Sequence, residues 1–301
     1  MSRHDRVRKA LAAIVIALAL AVGLAATAFA ADTEKAKSLY NDGLKAMQEG
    51  KTDEAIMAYK AAIEADPAYV DAYTNLGAIY FEKEQFDLAL EMFKAVSEKD
   101  PKNVVAFTNL GKVQYKLKRY LEAETAFNTA LALDAKNMEL YVELAKVHFN
   151  NRNFPKMVEV VEKCHELGGG DDETYYMLGK GYENQDKDAD AIAAYKKSLS
   201  LKNGHKAHSG LGGIYLRQEK YQDAAAEFSA SLKANPNGYR AAYNYAVAVQ
   251  SGNPENYDAS IQAWQGYIKL AKNNPKEKTG VAEAQRVVKD LMDAREKAST
   301  Q

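Results

Sequence analysis

Apolar positions in this chain keep to helical spacing, in two short runs joined by a polar turn, and that unit then recurs. Between residues 70 and 101, Tyr73, Leu76, Gly77 and Tyr80 stand at i, i+3, i+4 and i+7 and mark one face of a first helix. Ala89, Phe93 and Val96 mark one face of a second helix, with the turn EKEQFD between the two. Gly77 and Ala89 are small, which lets the helix backbones approach closely. Asp53, Asp87 and Asp258 fall near the starts of second helices, where the helix dipole favours an acid. Pro155 falls at a second-helix start, where proline costs little, and Pro67, Pro101 and Pro236 close second helices.

The unit has a fixed length. Pro67 and Pro101 are 34 residues apart, and the same step links Gly43, Gly77 and Gly111, then Ala55, Ala89 and Ala123, then Tyr59, Phe93 and Phe127. Residues 72–77 read AYTNLG and residues 106–111 read AFTNLG. Frames start at 36, 70, 104, 138 and 172, then at 205, one residue early, and near 239. Self-similarity at one period marks a stacked array whose units cannot bury their apolar faces alone. The step, the LG pair with a tyrosine three residues later, the small–aromatic pair and the closing proline together resemble the tetratricopeptide repeat, over about residues 36 to 272.

That resemblance implies an all-α fold: a right-handed superhelix of about seven helix hairpins with a concave groove, spanning residues 31–272, plus a C-terminal capping helix and tail at 273–301. Val281, Ala284, Val288 and Leu291 mark the apolar side of the cap, and Lys289, Asp290, Arg295 and Glu296 supply the polar outer face that a terminal repeat requires. Two frames depart from the pattern. In the fourth, Met157 replaces the small residue and Val161 the aromatic, and the following Gly168-Gly169-Gly170 predicts a hinge near 167–172. The seventh carries an insertion at SGNPEN, with Ser260 and Trp264 in the small and aromatic places.

Residues 1–30 have another character. Arg3, Arg6, Arg8 and Lys9 precede an uncharged run that ends in Ala28-Phe29-Ala30. This is the shape of a signal peptide cleaved after Ala30 and points to a periplasmic or secreted protein. The run is also long enough to span a bilayer, so an uncleaved inner-membrane anchor is the alternative, and only then would the membrane be a partner. Removing the leader leaves 36 basic against 40 acidic residues. That mild acidity argues against nucleic acid as a partner. A single cysteine, Cys164, allows no intramolecular disulfide.

The places on each first helix that do not pack against the second are the candidate binding surface. The sixth place reads Asn41, Asn75 and Asn109, and Asn244 in the last frame. Asparagine both donates and accepts, so a row of them can grip an extended peptide backbone, as in the asparagine ladders of some superhelical repeat proteins. The plainer reading is a solvated helix face. Tyr40, Thr74, Thr108, Tyr115, Phe149, Tyr176, Arg240 and Tyr243 are further groove candidates, tyrosine and arginine being favoured at interface hot spots. Lys112, Lys146 and Lys180 share the ninth place and could form a basic strip opposed by Glu139, Glu143 and Glu173.

Motifs for catalysis fall short. His205 and His208 have metal-compatible spacing but no third ligand in the sequence nearby. Asp186, Asp188 and Asp190 imitate a calcium loop, yet Ala191 and Lys197 stand where glycine and a carboxylate belong. Cys164 falls on a packed face and reads as a core filler. The expectation is therefore a non-enzymatic scaffold of the bacterial cell envelope, needing no cofactor or metal and binding an extended segment of another protein. The alternative is a membrane-anchored assembly factor of a motility, secretion or cell-wall machine.

Overall fold

The computed structural model describes residues 32–300, so the expected signal peptide and the expected cleavage after Ala30 lie outside the described residues. Within that range every regular element is a helix, and none is long and apolar enough to cross a membrane. Contacts divide the chain between Ala135 and Lys136 into two compact units. The first holds α1 (32–48), α2 (Thr52–Ala65), α3 (Val70–Glu82), α4 (Phe86–Lys99), α5 (Val104–Lys116) and α6 (Tyr120–Leu133). The second holds α7 (Met138–Asn150), α8 (Phe154–Glu166), α9 (Asp172–Glu183), α10 (Asp188–Leu201), α11 (His205–Arg217) and α12 (Tyr221–Ala234). It continues with α13 (Tyr239–Gly252), α14 (Tyr257–Ala271), a 3-10 turn at Pro275–Glu277 and α15 (Lys278–Ser299). First helices begin at Val70, Val104, Met138, Asp172, His205 and Tyr239, the residues at which the sequence frames begin; α1 starts earlier, at 32.

A glycine–aromatic interlock closes most hairpins. A Cβ on Gly77 would stand 2.9 Å from the Phe93 ring, one on Gly111 2.7 Å from Phe127, and one on Gly43 2.5 Å from Tyr59. Gly179 faces Tyr195 and Gly212 faces Phe228 in the same way. Each of these rings is buried, and burying one stabilises the array by about 1.5–3 kcal/mol. The fourth hairpin makes the converse choice: Ala145 faces the smaller Val161, both fully buried. The larger Met157 and its neighbour Val158 are accommodated by Gly181 on the next helix, where a Cβ would collide with both side chains. The corresponding places elsewhere hold Ile79, Val113, Val147 and Ile214.

The turn inside each of the first six hairpins is a Schellman motif. Gln85 N–H donates to the Tyr80 carbonyl and Glu84 N–H to the Phe81 carbonyl, and the same pair of bonds recurs at 118–119, 152–153, 186–187 and 219–220. The residue that reverses the chain is left-handed: Gly50 at φ 74°, then Glu84, Lys118, Arg152, Asp186 and Glu219 at φ 57–59°. Only the first of these is the glycine that such a conformation favours.

In the second unit, α7 touches α9, α9 touches α11 and α11 touches α13, and among the described helices no two second helices do so to the same extent. First helices thus form its inner layer. The junction at 167–172 lies inside this unit. There Gly168 is left-handed at φ 91°, and a Cβ on Gly169 would stand 2.6 Å from Cys164 Sγ. Asp171 and Thr174 form a capping box at the start of α9, and Thr174 Oγ1 is 3.0 Å from His165 Nε2. At the far end, Ser260 and Trp264 are buried in the expected places, and α15 buries Ala284, Val288 and Leu291 against the last hairpin.

Candidate functional site

In the first unit, the inward places of α1, α3 and α5 do different work from what spacing alone suggests. Asn75 Nδ2 donates to the hydroxyls of Tyr40 (3.0 Å) and Tyr59 (3.4 Å). Tyr40 packs at 5.5 Å from Tyr59 and 5.4 Å from Tyr69, centroid to centroid. Burial pushes the Tyr40 and Tyr59 hydroxyls above the usual tyrosine range, so they remain neutral partners for the amide. Asn75 therefore ties one hairpin to the next, whereas Asn41 is exposed and Asn109 half-buried. The Thr74 and Thr108 hydroxyls donate to the carbonyls of Val70 (3.1 Å) and Val104 (2.8 Å) on their own helices. Lys112 is half-buried on α5, and Tyr115 lies 6.1 Å from Tyr120.

In the second unit, Lys146 Nζ donates to Glu143 at 3.0 Å and Lys180 Nζ to Glu183 at 2.8 Å. Lys146 and Lys180 of the basic strip are thus paired within their own helices, Lys146 with Glu143 from the expected opposing acids. Glu183 is the hub of a larger network. It also accepts from Tyr195 at 2.7 Å and from Arg217 at 3.1 Å, while Arg217 reaches Asp188 at 2.9 Å and Gln218 caps Asp188 at 2.9 Å. Burial opposes the charge on Glu183, but the Lys180, Tyr195 and Arg217 bonds outweigh it and hold its carboxyl below the usual range. Phe149 lies between Phe154 (6.2 Å) and Tyr176 (6.4 Å), and Tyr176 in turn approaches Tyr195 (6.0 Å), giving a line of rings shared between first helices α7 and α9 and second helices α8 and α10.

Three expected groove residues come together at one place. Arg240, Tyr243 and Asn244 line a cleft of about 360 Å³ between α13 and the start of the cap, with Tyr239, Tyr267 and Glu277. Spacing could single out YRAAYNY as tyrosine-rich; it could not show that the cap brings a carboxylate opposite it. The catalytic candidates are engaged otherwise. Cys164 is buried, and burial with Asp171 nearby pushes its thiol up, away from reactivity. His208 lies 2.6 Å from Glu227 and 2.7 Å from Asn203 through its two ring nitrogens. Among the described residues no group of His, Cys, Asp and Glu is placed to hold a metal.

Comparison with known proteins gives a consistent picture. Models of the tetratricopeptide repeat match residues 46–110, 80–144, 172–205 and 209–275, well over half of the chain. The crystal structure of MamA is 27% identical at a TM-score of 0.54, over 56% of this chain and 92% of that one. The C-terminal part of a repeat-containing protein from Cytophaga hutchinsonii is 18% identical at a TM-score of 0.63, over 80% of this chain and 99% of that one. YrrB, described as a repeat protein with an unusual peptide-binding site, is 19% identical at a TM-score of 0.51, over 62% of this chain and 95% of that one. The last two likenesses concern the fold alone. The comparison with curated proteins returned no match.

Proposed function

The chain belongs to the tetratricopeptide-repeat family, and on that premise we propose that it is a scaffold that holds an extended segment of a partner protein against its first helices, without catalysing a reaction. Proteins of this family are protein-interaction scaffolds. What carries the finer reading is the division of labour on each first helix. Glycine, alanine and leucine seal the interlock, while Asn109, Tyr115, Phe149 and Tyr176 stay half-buried outside it. Ring faces and amides left in that state suit a polypeptide strand, which offers both backbone groups and side chains. YrrB, on the same fold, has a peptide site of its own.

The test of the surface is an Asn41→Ala, Asn109→Ala double variant, which spares Asn75 and its bonds to the tyrosines. Partner capture by the purified chain, scored by cross-linking and mass spectrometry, is expected to weaken with helicity unchanged; unaltered capture would refute the asparagine grip. We place the protein in the bacterial envelope on the composition of residues 1–30. An N-terminus at Ala31 in the secreted fraction supports cleavage. An intact leader in the membrane fraction supports the anchored assembly factor, which the length of the same uncharged run favours.

A further inference from the structure

The cleft at the end of the second unit has walls of one kind and an edge of another. Tyr243 stands at 77° to Tyr267 with ring centroids 5.3 Å apart, and at 81° to Trp264, also at 5.3 Å. Tyr239 completes the aromatic lining. Glu277 is half-buried there and accepts from the Tyr267 hydroxyl at 2.9 Å; Glu283 lines the opening and is exposed. Gly280 keeps the space free: a Cβ on it would stand 2.6 Å from the Tyr267 oxygen and 3.5 Å from Glu277 Oε2. The chain's own Arg240 lines the same cleft and lies over the Tyr239 ring at 5.9 Å, while the exposed Tyr243 offers a second ring to a cation from outside.

We propose that this cleft receives a lysine or arginine side chain of the bound partner segment, with the cation against the Tyr243 ring and its charge met by Glu277 and Glu283. Aromatic faces attract a cation within about 6 Å of the ring centre. A carboxylate at the rim adds the charge complement, and the neutral tyrosine hydroxyl keeps Glu277 in place. Burial and the Glu277 bond push the Tyr267 hydroxyl up to about 12, so it stays a donor at neutral pH. The proposal rests on the scaffold reading and deepens it by naming what the partner must carry: a basic residue at the position that meets the last hairpin.

The molecule supplies its own reporter. Its single tryptophan, Trp264, packs on both Tyr243 and Tyr267. Titrating the chain with an acetylated, amidated pentapeptide containing one central lysine is expected to shift Trp264 fluorescence saturably. The same peptide with acetyl-lysine is expected to bind at least fivefold more weakly. Glu283→Gln and Tyr243→Leu, both at exposed positions, are each expected to weaken the lysine peptide severalfold with the far-ultraviolet spectrum unchanged, and added salt to weaken it further. No response to the lysine peptide, equal response to the acetylated one, or indifference to both variants would overturn the proposal. Partner capture separates the two ideas. Capture that persists in both variants leaves the scaffold standing and removes the cation cleft. A lysine-dependent fluorescence response with no partner captured keeps the cleft and removes the scaffold.

Discussion

Replacing Gly111 by alanine sets two physical effects against each other. On helix propensity alone, alanine in the middle of α5 should stabilise the protein by about 1 kcal/mol. The structure predicts the opposite sign. The new methyl would lie 2.7 Å from the Phe127 ring, so the ring must retreat by about 0.7 Å to reach ordinary contact. Phe127 is fully buried between Ala123 and Ala130, themselves fully buried, and has nowhere to go. Overpacking a closed core costs about 1–3 kcal/mol, which, set against the propensity gain, leaves a net loss of up to about 2 kcal/mol. The fourth hairpin shows the remedy, since Ala145 there faces Val161. Phe127→Val should therefore rescue Gly111→Ala, so that the double variant is more stable than the sum of its parts by about 1 kcal/mol or more. Urea unfolding followed by circular dichroism gives the midpoints, compared at unchanged slope. A higher midpoint for Gly111→Ala, or additive effects in the double variant, would refute the interlock as the reason for glycine.

Three further outcomes follow from the geometry. Lys118→Gly, at φ 59°, should raise stability by about 0.5–1 kcal/mol in the same assay, because the left-handed strain at that position exceeds the chain entropy that glycine adds. Glu183 has a folded-state pKa below its ordinary value, so its contribution is present above that value and lost as pH falls below about 4.5; thermal unfolding of Glu183→Gln should show a flatter acid limb than the parent, and identical limbs would remove the network as the cause. Amides at 167–170 are expected to exchange faster than those of α8 and α9 on either side, the signature of a hinge at 167–172, and uniform protection from 160 to 180 would refute it.

Much of the array was legible without coordinates. A 34-residue step of glycine, small residue and aromatic is enough to place helix starts at the right residues, because each repeat must present the same apolar face to its neighbours and has one way of doing so. Cys164 could be assigned to the core from its place in the frame, and α15 to the role of cap from four apolar positions. The inward face was less legible. Asn75 and Asn109 occupy equivalent places, yet Asn75 meets the hydroxyls of Tyr40 and Tyr59, and the same places one repeat on hold Thr74 and Phe93, neither of which carries a phenol. The left-handed turn residues also escaped notice, since glutamate, lysine, arginine and aspartate carry no local mark of positive φ.

Residue identity and spacing thus determined the helices, their order and the faces they seal, because burial of a periodic apolar stripe depends only on which positions lie three and four apart. Tertiary structure alone decided which polar side chains remain for a partner. Whether an asparagine, lysine or glutamate is spent internally depends on what the next hairpin or the cap brings within about 3 Å, and those neighbours can be dozens of residues away in the chain.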